Sequence, residues 1–301
     1  MDGNKKLTIV THSSGFHTDD IFAVATLFLV LEKTHDLTVV RSREKSIVDA
    51  GDYVVDVGSI YDPEKNRFDH HQQGGAGVRE NNIPYASFGL VWKKYGEQLA
   101  GGLEAASRVD KLIVQPIDAN DNGVQFLESK LNNMRPFDVG FLTSMFAPTW
   151  KEDLFSMDDV FKRLVSYAKV VIAREIVCIR DELEAEVLVA AAYNSSVDKR
   201  LIMIENSRHP WGEVLSKLPE PIYVVYENQT DHTWSVKGVR SDMMSYALRK
   251  KLPESWAGKS GEELEKVTGV VGSVFCHRAR FMAVAKTKEA ILEFAKIALA
   301  S

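Results

Sequence analysis

Cysteine is nearly absent from this sequence. Cys178 and Cys276 are the two in 301 residues, they make no C-x-x-C pair, and each stands in an apolar stretch. That excludes a disulfide scaffold and a thiolate-built zinc site, and it predicts two reduced, buried thiols in a reducing compartment. Long apolar runs are missing too, so nothing here reads as a membrane span and no membrane partner is expected. The opening Met1-Asp-Gly-Asn-Lys-Lys6 carries neither a signal-peptide core nor an Arg-rich transit pattern, which makes the expected address cytoplasmic. Basic charge is not in excess. With 37 Lys and Arg against 42 Asp and Glu, a formal charge of −5 and a pI near 5.9, there is no broad basic face for duplex nucleic acid. A nucleic-acid partner would have to be held by a local groove or through bound metal. The glycine-rich Gln72-Gln-Gly-Gly-Ala-Gly77 lacks the lysine of a P-loop and reads as a connection.

What is present is an ordinary globular composition, 45% hydrophobic and 26% charged, in a chain long enough for two domains. Five of its eight histidines fall in the first quarter, and four of them, His12, His17, His70 and His71, are interleaved with Asp19, Asp56 and Asp69. They follow β-branched or aromatic runs, Leu7-Thr-Ile-Val10, Tyr53-Val-Val55 and Arg67-Phe68. In an open parallel sheet such positions, far apart in sequence, converge at the carboxyl ends of the strands. Carboxylates crowded there repel one another unless a cation lies among them, so the pattern points to a metal site of imidazole and carboxylate.

Alternating strands (7–11, 37–41, 53–57) and helices predict an α/β first half with a largely parallel sheet. Thr18 is expected to cap the helix over 18–31, with Asp19 and Asp20 in its first turn. A helix is expected to start at Pro84 and another to run over 102–114, ending before Pro116. Gln115-Pro-Ile-Asp118-Ala-Asn-Asp121-Asn-Gly123 then reads as a turn, with Asp118 or Asp121 as a last metal ligand. Apolar residues stepping by three or four over 157–194 predict a linker helix of roughly 57 Å. Strands and helices after residue 197 predict a smaller α+β domain. There His277, Arg278, Arg280 and Lys286, with Arg240 and Arg249 earlier, form either a solvated basic edge or an anion clamp. The expected division is a first domain over 1–156, the linker helix over 157–196 and the second domain over 197–301.

Six motifs in order, Thr11-His…Phe16-His-Thr-Asp-Asp20, Val55-Asp-Val-Gly58, Phe68-Asp-His-His-Gln72, Asp118-Ala-Asn-Asp-Asn-Gly123, Leu252-Pro-Glu-Ser-Trp-Ala-Gly258 and Gly272-Ser-Val-Phe-Cys-His-Arg-Ala-Arg-Phe281, resemble the melanocyte-proliferating-gene family of the D-H-H phosphoesterase superfamily. The resemblance implies a two-domain α/β enzyme with two ions, Mn²⁺ or Mg²⁺, and 3′-to-5′ exoribonuclease activity on RNA or short oligonucleotides. It implies that His12 and His17 bind one ion, that Asp19, His70 and Asp121 (or Asp118) bind the other, and that Asp56 bridges them. His71 would point at the scissile phosphate and Asp69 would orient a histidine, while His277, Arg280 and Arg249 would meet substrate. The chain departs from the superfamily pattern at His17, where an aspartate is usual, and at Phe281-Met-Ala-Val284, where glycines are frequent. Hydrolysis of a small nucleotide or pyrophosphate, and a non-catalytic RNA-binding role, are the alternatives, and a homodimer is left open.

Overall fold

The computed structural model describes residues 5–124, 137–153, 157–242 and 245–301. Two compact units divide it, Met1–Arg180 and Asp181–Ser301.

The first unit begins β1 (Lys5–Thr11), α1 (Thr18–Leu31), β2 (His35–Arg41), α2 (Lys45–Ala50), β3 (Tyr53–Val55), β4 (Tyr61–Asp62) and β5 (Arg67–Phe68). The strands pair in the order β2-β1-β3-β5-β4, parallel except for the antiparallel β4/β5 edge. So the carboxyl ends of β1, β3 and β5 are neighbours, and the residues that follow them are His12, Asp56 and Asp69. Next come α3 (Ser87–Ala100), α4 (Leu103–Val109), a π-helical turn (Asp110–Val114), α5 (Gln115–Asp121) and α6 (Val139–Ser144). Every residue of α1 from Ile21 to Leu27 is buried, as its nearly unbroken apolar sequence requires, and so are the polar Thr18, Asp19 and Asp20 at its start. Phe22 of α1 meets Phe88 of α3 with ring centroids 5.5 Å apart. Burying such a side chain stabilises by roughly 1.5–3 kcal/mol, which makes this seam a strong fixture beneath the site.

Three local expectations are corrected. α1 is capped by His17 rather than Thr18, and the His17 backbone N–H donates to Asp20 Oδ1 at 2.8 Å. α3 starts at Ser87, three residues past Pro84, which instead joins an isolated bridge with Val78. And the stretch expected to turn at Pro116 is helical through Asp121. The π-turn explains this: its wider i→i+5 spacing brings α4 to its end and lets a new helix start at Gln115, where a proline without an N–H is tolerated.

α7 (Met157–Ser195) is one continuous helix of 39 residues. The second unit follows with β6 (Leu201–Met203), α8 (Trp211–Ser216), β7 (Tyr223–Glu227), β8 (Trp234–Gly238), α9 (Gly261–Thr268), β9 (Ser273–Cys276), β10 (Met282–Ala285) and α10 (Lys288–Ala300). Its sheet runs β6-β7-β8-β10-β9, antiparallel except for β6/β7. Alternation along β7 divides the core: Tyr223 and Val225 pack with Trp256 and Phe294, while Val224 and Tyr226 pack with Val189 and Leu215. Each face of the sheet therefore has its own helical cover.

Both cysteines are free, but only Cys276 is buried; Cys178 is half-buried. Burial pushes the Cys276 thiol up to about 11, against the pull of Arg280. The folded state therefore holds this proton more tightly than the unfolded chain does, whose thiol titrates near 9. Stability contributed by that proton is complete below pH 9 and is lost as pH rises towards 11. Iodoacetamide should accordingly alkylate Cys178 well before Cys276 at pH 8, a difference read by mass spectrometry and abolished in urea.

Candidate metal centre

His12 directly follows β1. Its Nδ1 lies 3.2 Å from the Ser13 carbonyl oxygen, which can only accept, so Nδ1 carries the proton and Nε2 presents its lone pair. That Nε2 faces Asp20 Oδ2 at 3.2 Å and Asp56 Oδ2 at 3.4 Å. Asp56 follows β3 and is buried; its Oδ1 accepts from Ser87 Oγ at 3.0 Å and lies 3.3 Å from His70 Nε2. His70 Nε2 in turn is 3.2 Å from Asp121 Oδ2 at the end of α5. Asp56 adopts φ +56°, a left-handed conformation that a non-glycine residue holds only when its surroundings enforce it.

These groups form three overlapping sets whose ligand atoms lie within 4.8 Å of one another: His12, His17 and Asp56; Asp56, His70 and His71; Asp19, His70 and Asp121. Asp56 belongs to the first two and His70 to the last two. Asp19 is fully buried, and its two oxygens accept from the backbone N–H groups of Ser87 (3.0 Å) and Phe88 (2.7 Å) at the start of α3. Asp69 works behind the histidines. Its Oδ2 accepts from the Ser59 N–H at 2.6 Å, and its Oδ1 from the His70 N–H at 2.7 Å and from His71 Nδ1 at 2.7 Å. His71 is thereby oriented while its ring stays more than half exposed.

The electrostatics are those of a cation site. Burial pushes Asp19 well above the usual carboxylate range, and the charges of Asp56, Asp121 and Asp118 push it further. Burial opposes a charge on His70, yet Asp121 and Asp56 hold a proton there and raise it to about 11. His12 is likewise raised, the carboxylates of Asp20 and Asp56 overcoming burial. His12 Nε2, His70 Nε2 and Asp20 Oδ2 are buried with no well-formed hydrogen bond, all turned towards the same cluster. Nitrogen lone pairs facing carboxylate oxygens need either protons or a metal between them, and hard oxygen donors with a few imidazoles suit Mn²⁺ or Mg²⁺. The donor set fits a divalent metal. A cleft of about 570 Å³ opens on it, lined by His17, Asp19, His70, His71 and Asp121 together with Gly140, Thr143 and Ser144 of α6.

Asp118 stands apart from these sets. It is fully buried, its Oδ2 lies 2.7 Å from Arg79 Nη1, and its Oδ1 accepts from the Gly89 N–H at 3.0 Å. Arg79 also pairs with Asp110 at 3.0 Å and lies 4.1 Å from the centre of the Tyr85 ring. Asp20, read from sequence only as a first-turn acid, joins His12 at the cluster; its position three residues after the capping His17 was the available signal. In the second unit, Arg249 spends its guanidinium on the carbonyls of Pro221 (2.9 Å) and Ser216 (2.7 Å). His277 packs on Phe281 with centroids 4.4 Å apart and accepts from the Ala279 N–H, and Arg280 takes φ +61° in the turn between β9 and β10.

A largely parallel α/β sheet that gathers buried carboxylates and imidazoles at the ends of three adjacent strands defines the class of α/β proteins with a candidate divalent-metal centre. Residues 8–299 match the model of the "Uncharacterised protein family (UPF0160)", the MYG1 exonuclease model, and the chain belongs to that family. The MYG1 protein of Saccharomyces cerevisiae is 32% identical over 333 residues, spanning 99% of this chain and 97% of its own. The Dictyostelium discoideum MYG1 protein is 30% identical (95% and 94%), and the protein of Homo sapiens described as MYG1 exonuclease is 29% identical (97% and 85%). The solved exonuclease RecJ bound to manganese aligns over 98% of this chain and 90% of its own at 12% identity and a TM-score of 0.28, a likeness too low to bear on the site. Among the described residues, no helix is long and apolar enough to cross a membrane.

Proposed function

We propose that this protein is a cytoplasmic, metal-dependent phosphoesterase that hydrolyses phosphodiester bonds of RNA from the 3′ end, using two divalent ions, Mn²⁺ or Mg²⁺. The observation that carries the proposal is the overlap of the donor sets through Asp56 and His70, which places one carboxylate between two groups of ligands. The names of the mammalian relatives support an exonuclease. His12, His17 and Asp56 would hold one ion and Asp19, His70 and Asp121 the other. Bound there, such a pair supplies a hydroxide near neutral pH and neutralises charge on the phosphoryl oxygens. Asp69 fixes the orientation of His71, whose other ring nitrogen would face the phosphoryl oxygen on which negative charge grows. Ser87, Phe88 and Ser59 keep the carboxylates aimed by N–H donation, so the ligands do not reorganise during the reaction.

The test is hydrolysis of a 5′-labelled single-stranded RNA by protein stripped with EDTA, before and after Mn²⁺ is restored. The expected result is no cleavage when stripped, and successive shortening from the 3′ end when restored. Intact RNA alongside cleaved pyrophosphate or dinucleotide would replace this reading with a small-nucleotide hydrolase. Inertness towards all three would end the catalytic reading.

A further inference from the structure

Of the six exposed Phe, Tyr and Trp side chains among the described residues, four fall between Phe137 and Trp150, on α6 and the turns flanking it. Phe141 is 48% exposed, Phe146 53% and Trp150 88%. Such a concentration on one segment is not core, and exposed apolar side chains crowded within fourteen residues mark a binding region. Its position says what binds. Thr18 and Thr143 share a hydrogen bond of 2.7 Å between buried hydroxyls, which ties α6 to the start of the helix that carries Asp19 and Asp20. Gly140 permits the close approach, since a Cβ there would lie 3.3 Å from Asn120 Nδ2. Thr143 lines both the metal cleft and, with Phe146, Arg163 and Tyr167, an adjoining apolar hollow of about 400 Å³. Charge around the rings is mixed: Lys151 Nζ is 5.0 Å from the centre of the Trp150 ring and Arg163 borders the hollow, while Asp138, Glu152 and Asp153 belong to the same segment.

We infer that Phe141, Phe146 and Trp150 form a base-stacking platform for single-stranded nucleic acid, which receives the unpaired bases of a strand whose end enters the metal cleft. The inference rests on the phosphoesterase reading for the identity of that end. Exposed flat rings beside a metal cleft are what unpaired bases require, since every base offers a face to stack and the phosphate at the strand end is met by the bound ions. A duplex would hide those faces and needs a broader basic surface than a chain of net charge −5 supplies.

The test is a fluorescence titration with an eight-nucleotide oligouridylate in EDTA, where turnover is stopped, on the parent, Phe146→Ala, Trp150→Ala and the double variant, with Phe146→Tyr and Trp150→Phe as conservative controls. Urea unfolding confirms that each variant is folded. Each alanine should weaken octamer binding roughly tenfold, the double variant more, while the conservative variants retain it. Quenching of Trp150 emission by the octamer, lost in Trp150→Phe although binding persists, would locate the bases on the ring. Unchanged affinity in the folded double variant would overturn the platform. So would a parent that sediments as a dimer and a double variant that sediments as a monomer, because the rings would then be covered by a second copy. Mn²⁺-dependent cleavage of bis(p-nitrophenyl) phosphate by the parent, measured separately, tells failure of the phosphoesterase reading from failure of the platform.

Discussion

Asp56→Asn should lower metal-dependent turnover at least about a thousandfold while leaving the protein folded. A pair of ions contributes several kcal/mol of charge stabilisation to phosphoryl transfer, each 1.36 kcal/mol being tenfold in rate, and Asp56 is the carboxylate shared between two ligand sets. An amide keeps the shape and removes the charge. The Ser87 hydroxyl can still donate to its oxygen, so the loss belongs to the metal rather than to the fold. Isothermal titration with Mn²⁺ should show weaker or fewer sites in step with the rate. A second consequence separates strain from chemistry. At φ +56° an alanine keeps a strain of order 1–3 kcal/mol, whereas glycine adopts the conformation freely. Asp56→Gly should therefore melt at a higher temperature than Asp56→Ala, both being inactive. An Asp56→Asn enzyme with more than a tenth of parental turnover would remove Asp56 from the centre of the mechanism.

Much of this site was legible because its residues obey one rule of parallel sheets. His12, Asp56 and the Asp69-His70-His71 run each follow a short β-branched or aromatic stretch, and three neighbouring strands deliver them to one edge. Position in sequence alone could not show the supports. The N–H groups of Ser87 and Phe88 come from a helix that starts at Ser87 and not at the expected Pro84, because proline marks a helix start only where the preceding backbone turns that way, and here the chain continues extended to Ala86. The choice between Asp118 and Asp121 depended on the π-turn over 110–114, which no periodicity reveals. With that turn the two carboxylates, three residues apart, meet different partners: Asp121 meets His70 and Asp118 meets Arg79. Arg79 itself carried no signal, standing two residues past the glycine-rich connection of 72–77. Nor does the sequence show that the aromatic side chains of residues 137–150 are exposed, since exposure is a tertiary property.

Arg79 is where the largest loss of stability should fall. Its side chain is 7% exposed and its guanidinium joins Asp118 on α5 to Asp110 on the π-turn, while Asp118 reaches the start of α3 through the Gly89 N–H. One buried cation thus holds the three segments that carry or support Asp19 and Asp121. Removing one partner of a buried pair strands the other, at about 3–5 kcal/mol. Against a typical total of roughly 5–15 kcal/mol, Arg79→Ala should shift urea unfolding far to lower concentration. The pH dependence has a definite sign. Burial already pushes Asp118 up to about 7 despite Arg79 beside it, and without the guanidinium the carboxyl is raised further. A carboxyl raised in the folded state favours folding when protonated, so that contribution is present at low pH and is lost as pH climbs from the ordinary carboxylate range towards the folded value. Arg79→Ala should therefore lose more stability at pH 8 than at pH 5, and adding Asp118→Asn should recover part of the loss at pH 8, a coupling that the double-mutant cycle measures. Gly89→Ala tests the same joint by crowding, since a Cβ there would sit 2.8 Å from Asp118 Cγ and 2.7 Å from Arg79 Nη2, inside van der Waals contact with both. If Arg79→Ala unfolds at the parental urea concentration at pH 8, the Arg79–Asp118 pair is not what locks α5 against α3, and the placing of Asp121 must be sought in the packing of Ile117 and Ala119 instead.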